Sequence, residues 1–215
     1  MAKIAKSMVS FLGMTPSHTR RTAAALIAAF ALAACSSAPR AAVRTSPSPR
    51  YPHTEADVRF MSAMIGHHAQ AIVMASWAPT HDAGPSVRTL AERIINAQQD
   101  EIATMQQWLH DRGQPVPEAH ATGMKLMMNG AEHEMLMPGM LTEAQMRQLD
   151  QANGPEFDRL FLTFMIQHHR GAVVMVQDLF GSYGAAQDQT VFKFANDVNV
   201  DQSTEIARMQ AMLTP

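Results

Sequence analysis

Two stretches of the chain carry the same set of side chains, Met64-Ile-Gly-His67-His68 and Met165-Ile-Gln-His168-His169. On a helix, a methionine three residues before one histidine and four before the next shares a face with both. Thioether sulfur is a soft donor and imidazole a borderline one, a mixture that suits copper, particularly Cu(I). Hard ions such as Mg²⁺ or Ca²⁺ want oxygen instead. A single methionine at helical spacing is ordinarily a core filler, and a lone histidine is ordinarily a satisfied core or surface residue. Four histidines in two matching sets are different, because imidazoles buried near a bundle axis cost free energy unless something partners them. Met64, His67, His68, Met165, His168 and His169 are therefore the candidate metal ligands. Met74, Met175, Met105 and Met209 recur at matching positions and could extend the sulfur environment, although core packing explains each of them as well. His133, in a Met-rich stretch, is a further candidate, whereas His81, His110 and His120 fall in loops or helix ends where exposure explains them.

Several other chemistries are absent from the sequence. Di-iron bundles use Glu-x-x-His on two helices, and here no Asp or Glu stands three residues before any histidine. A His-Glu-x-x-His zinc helix is missing, as are a Gly-rich phosphate loop and a nucleophile elbow.

The elements that must position these residues are legible as an internal repeat. Asp57-x-x-Phe60-x-x-x-Met64-x-x-His67-His68-x-x-Ala71-x-Val73-Met74 returns 101 residues later as Asp158, Phe161, Met165, His168, His169, Ala172, Val174 and Met175. Glu101-Ile-Ala-Thr-Met105 then returns as Glu205-Ile-Ala-Arg-Met209, shifted by 104. Two matches in the same order indicate duplication of a two-helix unit. Phe60, Met64, His67, Ala71 and Met74 follow the three-and-four spacing of one helix face. Thr54 with Asp57, and Thr142 with Gln145, form capping-box patterns. Pro79, Gly84 and Pro85 separate the first two helices, with Ser86 expected to cap the second, which runs to about Asp111. Asn153-Gly154-Pro155 opens the next helix, Gly181 and Gly184 end it, and a last one fills roughly 188–213. With no sustained two-residue alternation, strands are not expected. The predicted fold is all-α: a ferritin-like four-helix bundle built from a duplicated helical hairpin, with a long Met-rich crossover carrying a short helix. Repeat 1 covers about 54–112, the crossover 113–152 and repeat 2 about 153–213. The crossover holds Met124, Met127, Met128, Met135, Met137 and Met140, and is either a copper-collecting segment, an adaptable lid or a loose loop.

The N-terminus reads as an address. Lys3, Lys6, Arg20 and Arg21 precede an apolar run from Ala23 to Ala34. That run is too short to span a bilayer, which takes about 20 residues, and it has the length of a signal-peptide core. It ends in Leu32-Ala-Ala-Cys35, which resembles a lipobox whose cysteine is lipidated. Residues 1–35 are thus expected to be a lipoprotein signal, starting at Met1 or Met14, and residues 36–52 a flexible Ser/Pro tether to a domain over 53–215. Cys35 is the only cysteine among 215 residues, so no disulfide framework or Cys-rich metal site is available within the chain. Beyond it remain 13 bases, 19 acids, 15 of 18 Met and nine of ten His. An acidic balance does not suit nucleic acid, but it suits cations.

The duplicated Asp-x-x-Phe-x-x-x-Met-x-x-His-His-x-x-Ala pattern with Glu-Ile-x-x-Met after each copy resembles the domain-of-unknown-function 305 family of bacterial proteins. So does Leu141-Thr-Glu-Ala-Gln-Met146 followed by Gly154-Pro-Glu-Phe157-Asp158. The resemblance covers about 53–213. It implies a ferritin-like bundle, usually exported, with some members similar to periplasmic copper-binding and copper-resistance proteins, and it places the ligands at the same six Met and His. Ala69 against Arg170 is one departure between the halves. The expected protein is a membrane-anchored envelope lipoprotein that binds copper for sequestration, resistance or transfer to or from a protein partner, without an organic cofactor and without turnover. Two alternatives stand beside it: a redox-active bundle enzyme such as a Cu(I) oxidase, and a partner-binding helical module with no metal.

Overall fold

The computed structural model describes residues 52–120, 124–128 and 131–214, with only the backbone described at 124–128 and 131–134. Cys35, the signal segment and all of the tether but Pro52 lie outside the described residues. Helix α1 spans Glu55–Ser76 and α2 Pro85–Asp111. The crossover holds strands β1 (Met124–Met128) and β2 (Ala131–Met135) and the short helix α3 (Glu143–Gln151). Helices α4 (Gly154–Gly181) and α5 (Gln189–Leu213) complete the chain. The four long helices form a bundle of two hairpins, α1–α2 and α4–α5, joined mainly through α1 against α4. Among the described residues no helix is long and apolar enough to cross a membrane.

The helix starts follow local chemistry. Thr54 and Asp57 form a complete capping box on α1, as Thr142 and Gln145 do on α3. Asp188 caps α5 by accepting from the backbone N–H of Thr190 and Val191. The expectation for α2 needs correction. Its N-cap is Gly84, with Pro85 first in the helix and Ser86 already inside it. Proline at the first helical position lacks an N–H that would have no helical partner anyway, and this fixes the start.

The crossover also departs from an all-helical reading. Strands β1 and β2 pair antiparallel, Met124 opposite Met135 and Met128 opposite Ala131. The signal for this ribbon is Asn129-Gly130 between them, the dipeptide favoured in two-residue hairpins. The expected bundle and the short helix are both present.

Two apolar clusters fill the bundle. One joins Phe60, Met64 and Ile65 of α1 to Ala172, Met175 and Leu179 of α4; the other joins Ala71, Met74 and Ala75 of α1 to Phe157, Phe161 and Met165 of α4. The first half of α1 thus meets the second half of α4 and the reverse, so the two helices cross antiparallel.

Each repeat also holds the other's loop. The Asp57 carboxylate, fully buried, accepts from the Ala186 backbone N–H at 2.7 Å, in the α4–α5 loop. Its repeat counterpart Asp158 accepts from the Gly84 N–H at 3.0 and 3.1 Å, in the α1–α2 loop. The leading Asp of each repeat is therefore a structural clamp between the hairpins.

Candidate metal centre

His67, His68, His168 and His169 have no exposed surface at all. In α1 and in α4 the histidine pair falls, along the sequence, between residues of the two apolar clusters. One cluster contains Met64, Met105 and Met175, the other Met165, Met209 and Met74. Each trio is the repeat image of the other. All six thioethers are buried, Met175 being the least so at 8% exposed. The fold therefore places a layer of imidazole between two sulfur-bearing apolar clusters.

Across the α1–α4 contact, the His67 and His168 rings lie 3.8 Å apart between centroids, tilted by 36°. Each is 6.2–6.4 Å from the ring of its own neighbour. The outward nitrogen of three rings is held. His67 Nε2 donates to the Pro138 carbonyl at 3.0 Å. His68 Nε2 meets the Glu101 carboxylate at 2.6 Å, and His169 Nε2 meets Glu205 at 2.7 Å. A neutral imidazole that donates from Nε2 carries its lone pair on Nδ1. The Nδ1 atoms of His67, His68 and His169, and both nitrogens of His168, are buried with no partner in the protein. A metal-ligating histidine characteristically gives one N–H to a carboxylate or carbonyl and presents the other nitrogen.

The protonation states agree. Burial, reinforced by His68, lowers the His67 pKa to about 3, against the smaller upward pull of the Pro138 carbonyl. Burial, then the charges of His67, His169 and His68, hold His168 well below its ordinary value. Both are neutral at physiological pH, the form in which imidazole binds metal. Among the described residues no three His, Cys, Asp or Glu side chains group to hold an ion. A set of three or more donors here would have to draw on thioether sulfur as well.

A strap from the crossover closes the His67 side. Met137, Met140 and Leu141 are buried in the bundle. Leu141 exchanges two hydrogen bonds with the Gln70 amide, at 2.7 and 3.1 Å. Gly171 on α4 is required for this contact: a Cβ there would stand 1.8 Å from the Pro138 carbonyl oxygen.

All six Met and His of the two motifs thus lie buried in the bundle around this layer, and Met74, Met175, Met105 and Met209 lie in its flanking clusters. His133 sits on β2 opposite Leu126, with its side chain outside the described residues. His110 and His120 are exposed as expected. His81 is not: its side chain is only 12% exposed and bridges the Trp77 and Asp150 carbonyls. Glu101 and Glu205 escaped the sequence reading as site residues, although they open the second repeated match. So did Gln98 and Gln202, one turn earlier on the same helices. Both are buried, with the Gln98 amide and the Gln202 oxygen unpartnered. The overlooked signal is Gln-x-x-Glu-Ile-Ala-x-Met, present twice.

The model of a family described as a domain of unknown function, DUF305, matches residues 57–213. The chain belongs to the DUF305 family. Uncharacterized protein L153 of Acanthamoeba polyphaga mimivirus is 38% identical over 56 residues, 26% of this chain and 37% of that protein. The match therefore spans little more than a third of the length of that curated relative. A DUF305 protein of Streptomyces coelicolor has a similar solved structure, with 27% identity and a TM-score of 0.61 over 74% of this chain and 91% of that one. CopM in its Cu(II)-bound form has 30% identity and a TM-score of 0.57 over 73% of this chain and 95% of its own. CopM is also solved in Cu(I)-bound and Ag-bound forms.

Proposed function

We propose that this DUF305 protein binds copper as Cu(I) within the bundle and sequesters it or hands it on. The donors are drawn from the imidazoles of His67, His68, His168 and His169 and the sulfurs of Met64 and Met165, while Met74, Met105, Met175 and Met209 supply the sulfur-rich surround. The observation that carries the reading is the set of buried imidazole nitrogens with no protein partner, three of them on rings oriented from behind by a carbonyl or a carboxylate. Leaving such groups unpaired in an apolar core costs about 1–3 kcal/mol each, and a bound cation removes that cost. The copper- and silver-bound forms of CopM support the choice of metal. Copper supplies no reaction in this reading; binding and release suffice, so the protein acts as a binder rather than an enzyme.

Its place is the cell envelope, anchored by lipid on Cys35. The lipobox-like Leu32-Ala-Ala-Cys35 supports this, as does the Streptomyces coelicolor relative, named as a candidate secreted protein. Radiolabelled palmitate incorporated by the parent and not by Cys35→Ser tests the anchor. Anaerobic competition titration of the chain without residues 1–35 tests the metal. The expected result is Cu(I) bound tighter than micromolar, in preference to Zn(II) and Fe(II), and weakened at least tenfold in His68→Ala with His169→Ala. Binding weaker than micromolar, or unchanged in that variant, overturns the reading.

A further inference from the structure

The two halves of the protein diverge where α2 meets α5. A groove of about 450 Å³ there is lined by Asp100, Glu101 and Thr104 of α2 and by Lys193, Asp197 and Asp201 of α5. Four carboxylates face one ammonium, which is already paired with Asp197. Asp201 holds its proton more tightly than an ordinary aspartate, first through burial and then through the charges of Glu101, Asp197 and Glu205. The groove therefore concentrates negative potential.

Glu101 connects this groove to the interior. Its side chain is 19% exposed, and the same carboxylate contacts His68, which has no exposure and an unpartnered Nδ1. Gln98, one turn along α2 and only 2% exposed, adds an amide with no partner. On the His67 side the strap closes the layer through Pro138. The other histidine–carboxylate pair, His169 with Glu205, shares only Asp201 of this field. The positions equivalent to Asp197, Asp201, Asp100 and Thr104 are Arg93, Ala97, Thr204 and Arg208. Duplication began with equal halves, so acids gathered at one end and two arginines at the other make the layer electrostatically one-sided.

We propose that the acidic groove between α2 and α5 is the route by which a soft monovalent cation, Cu(I) or Ag(I), reaches the imidazole layer, with Glu101 as the bridge to His68. The inference rests on the metal-binding reading above and adds the path. Asp100, Asp197 and Asp201 raise the local cation concentration; none of them is a ligand in the final site. A cleft of one sign raises association rates by about 10–10³-fold, and salt suppresses the effect.

The test is the uptake rate of Ag(I), supplied as silver nitrate to the purified chain and read by rapid mixing with a chelator quench that counts bound silver. The triple variant Asp100→Asn/Asp197→Asn/Asp201→Asn is expected to take up silver about tenfold more slowly at low ionic strength. It should bind the same number of equivalents at saturation and match the parent near 1 M sodium nitrate. Lys193→Gln is expected to act in the opposite direction, speeding uptake. A control triple, Glu55→Gln/Glu143→Gln/Asp178→Asn, removes equal charge from α1, α3 and α4 and should leave the rate within about twofold. Full silver binding with parental rates in the groove variant, or equal slowing in the control, overturns the route alone. No silver bound by the parent overturns the metal reading, and the route with it.

Discussion

At the scale of single residues, burial does two things: it keeps His67 and His168 neutral, and it leaves inner nitrogens of all four histidines unsatisfied. The first has a measurable consequence in the metal-free protein. His67 has a folded pKa of about 3 against an ordinary 6.5, so the unfolded chain takes up a proton first as pH falls. Stability is therefore full above about pH 6.5 and declines as pH falls towards 3, by up to about 1.4 kcal/mol per pH unit for this group. His168, lowered in the same direction, adds to the slope. Urea midpoints between pH 6.5 and 5, above the carboxylate range, should fall accordingly; midpoints flat across that window contradict the buried neutral pair. The carboxylates behind the rings give a second prediction. Glu205→Gln keeps a hydrogen-bonding side chain near His169 but removes the charge that orients the ring. Cu(I) affinity should drop about 10- to 100-fold in a competition titration, with the melting temperature little changed. At this scale the six motif residues were legible because type and spacing repeat together. Glu101 and Glu205 were not, because the match that contains them reads equally well as the apolar frame of a helix.

At the scale of elements, the bundle is set by its caps and clamps. Thr54–Asp57 was visible as a capping box. That Asp57 also accepts from Ala186, 129 residues away, was not, since nothing local encodes a contact across the chain. Asp57→Ala leaves a buried N–H unpaired and should cost about 1–3 kcal/mol; Asp158→Ala, at the half-buried Gly84 N–H, should cost less, both measured by denaturant unfolding. The strap offers a sharper test. At Gly171→Ala the new methyl carbon would need the space of the Pro138 carbonyl, and overpacking of this kind costs about 1–3 kcal/mol. The strap should lift from α4, lower the melting temperature and open residues 137–141 to limited proteolysis. Cleavage no faster than in the parent contradicts the strap as a fitted element. The β-ribbon was missed for a different reason: the alternation in Met124-Lys-Leu126 and Ala131-Glu-His-Glu-Met135 is too short to stand out, and Asn129-Gly130 between the two was passed over.

At the scale of the whole molecule, duplication explains why the centre is symmetrical and its surroundings are not. Two hairpins crossing through α1 and α4 bring four histidines into one layer and set a sulfur trio on each side of it. The crossover, present once, closes one side; the acidic groove, also present once, charges another. Repeat, helix pattern and candidate donor types could be read from the sequence because they are written twice. The strap and the charge asymmetry could not, because each depends on residues brought together only by the fold. The central claim is that the unpartnered imidazole nitrogens and the flanking thioethers act together as donors. X-ray absorption at the copper edge of the Cu(I)-loaded protein tests it most directly. The account predicts a first shell of mixed nitrogen and sulfur, with the nitrogen contribution reduced in His67→Ala/His168→Ala. A shell of nitrogen and oxygen without sulfur, or a spectrum unchanged in that variant, would contradict it.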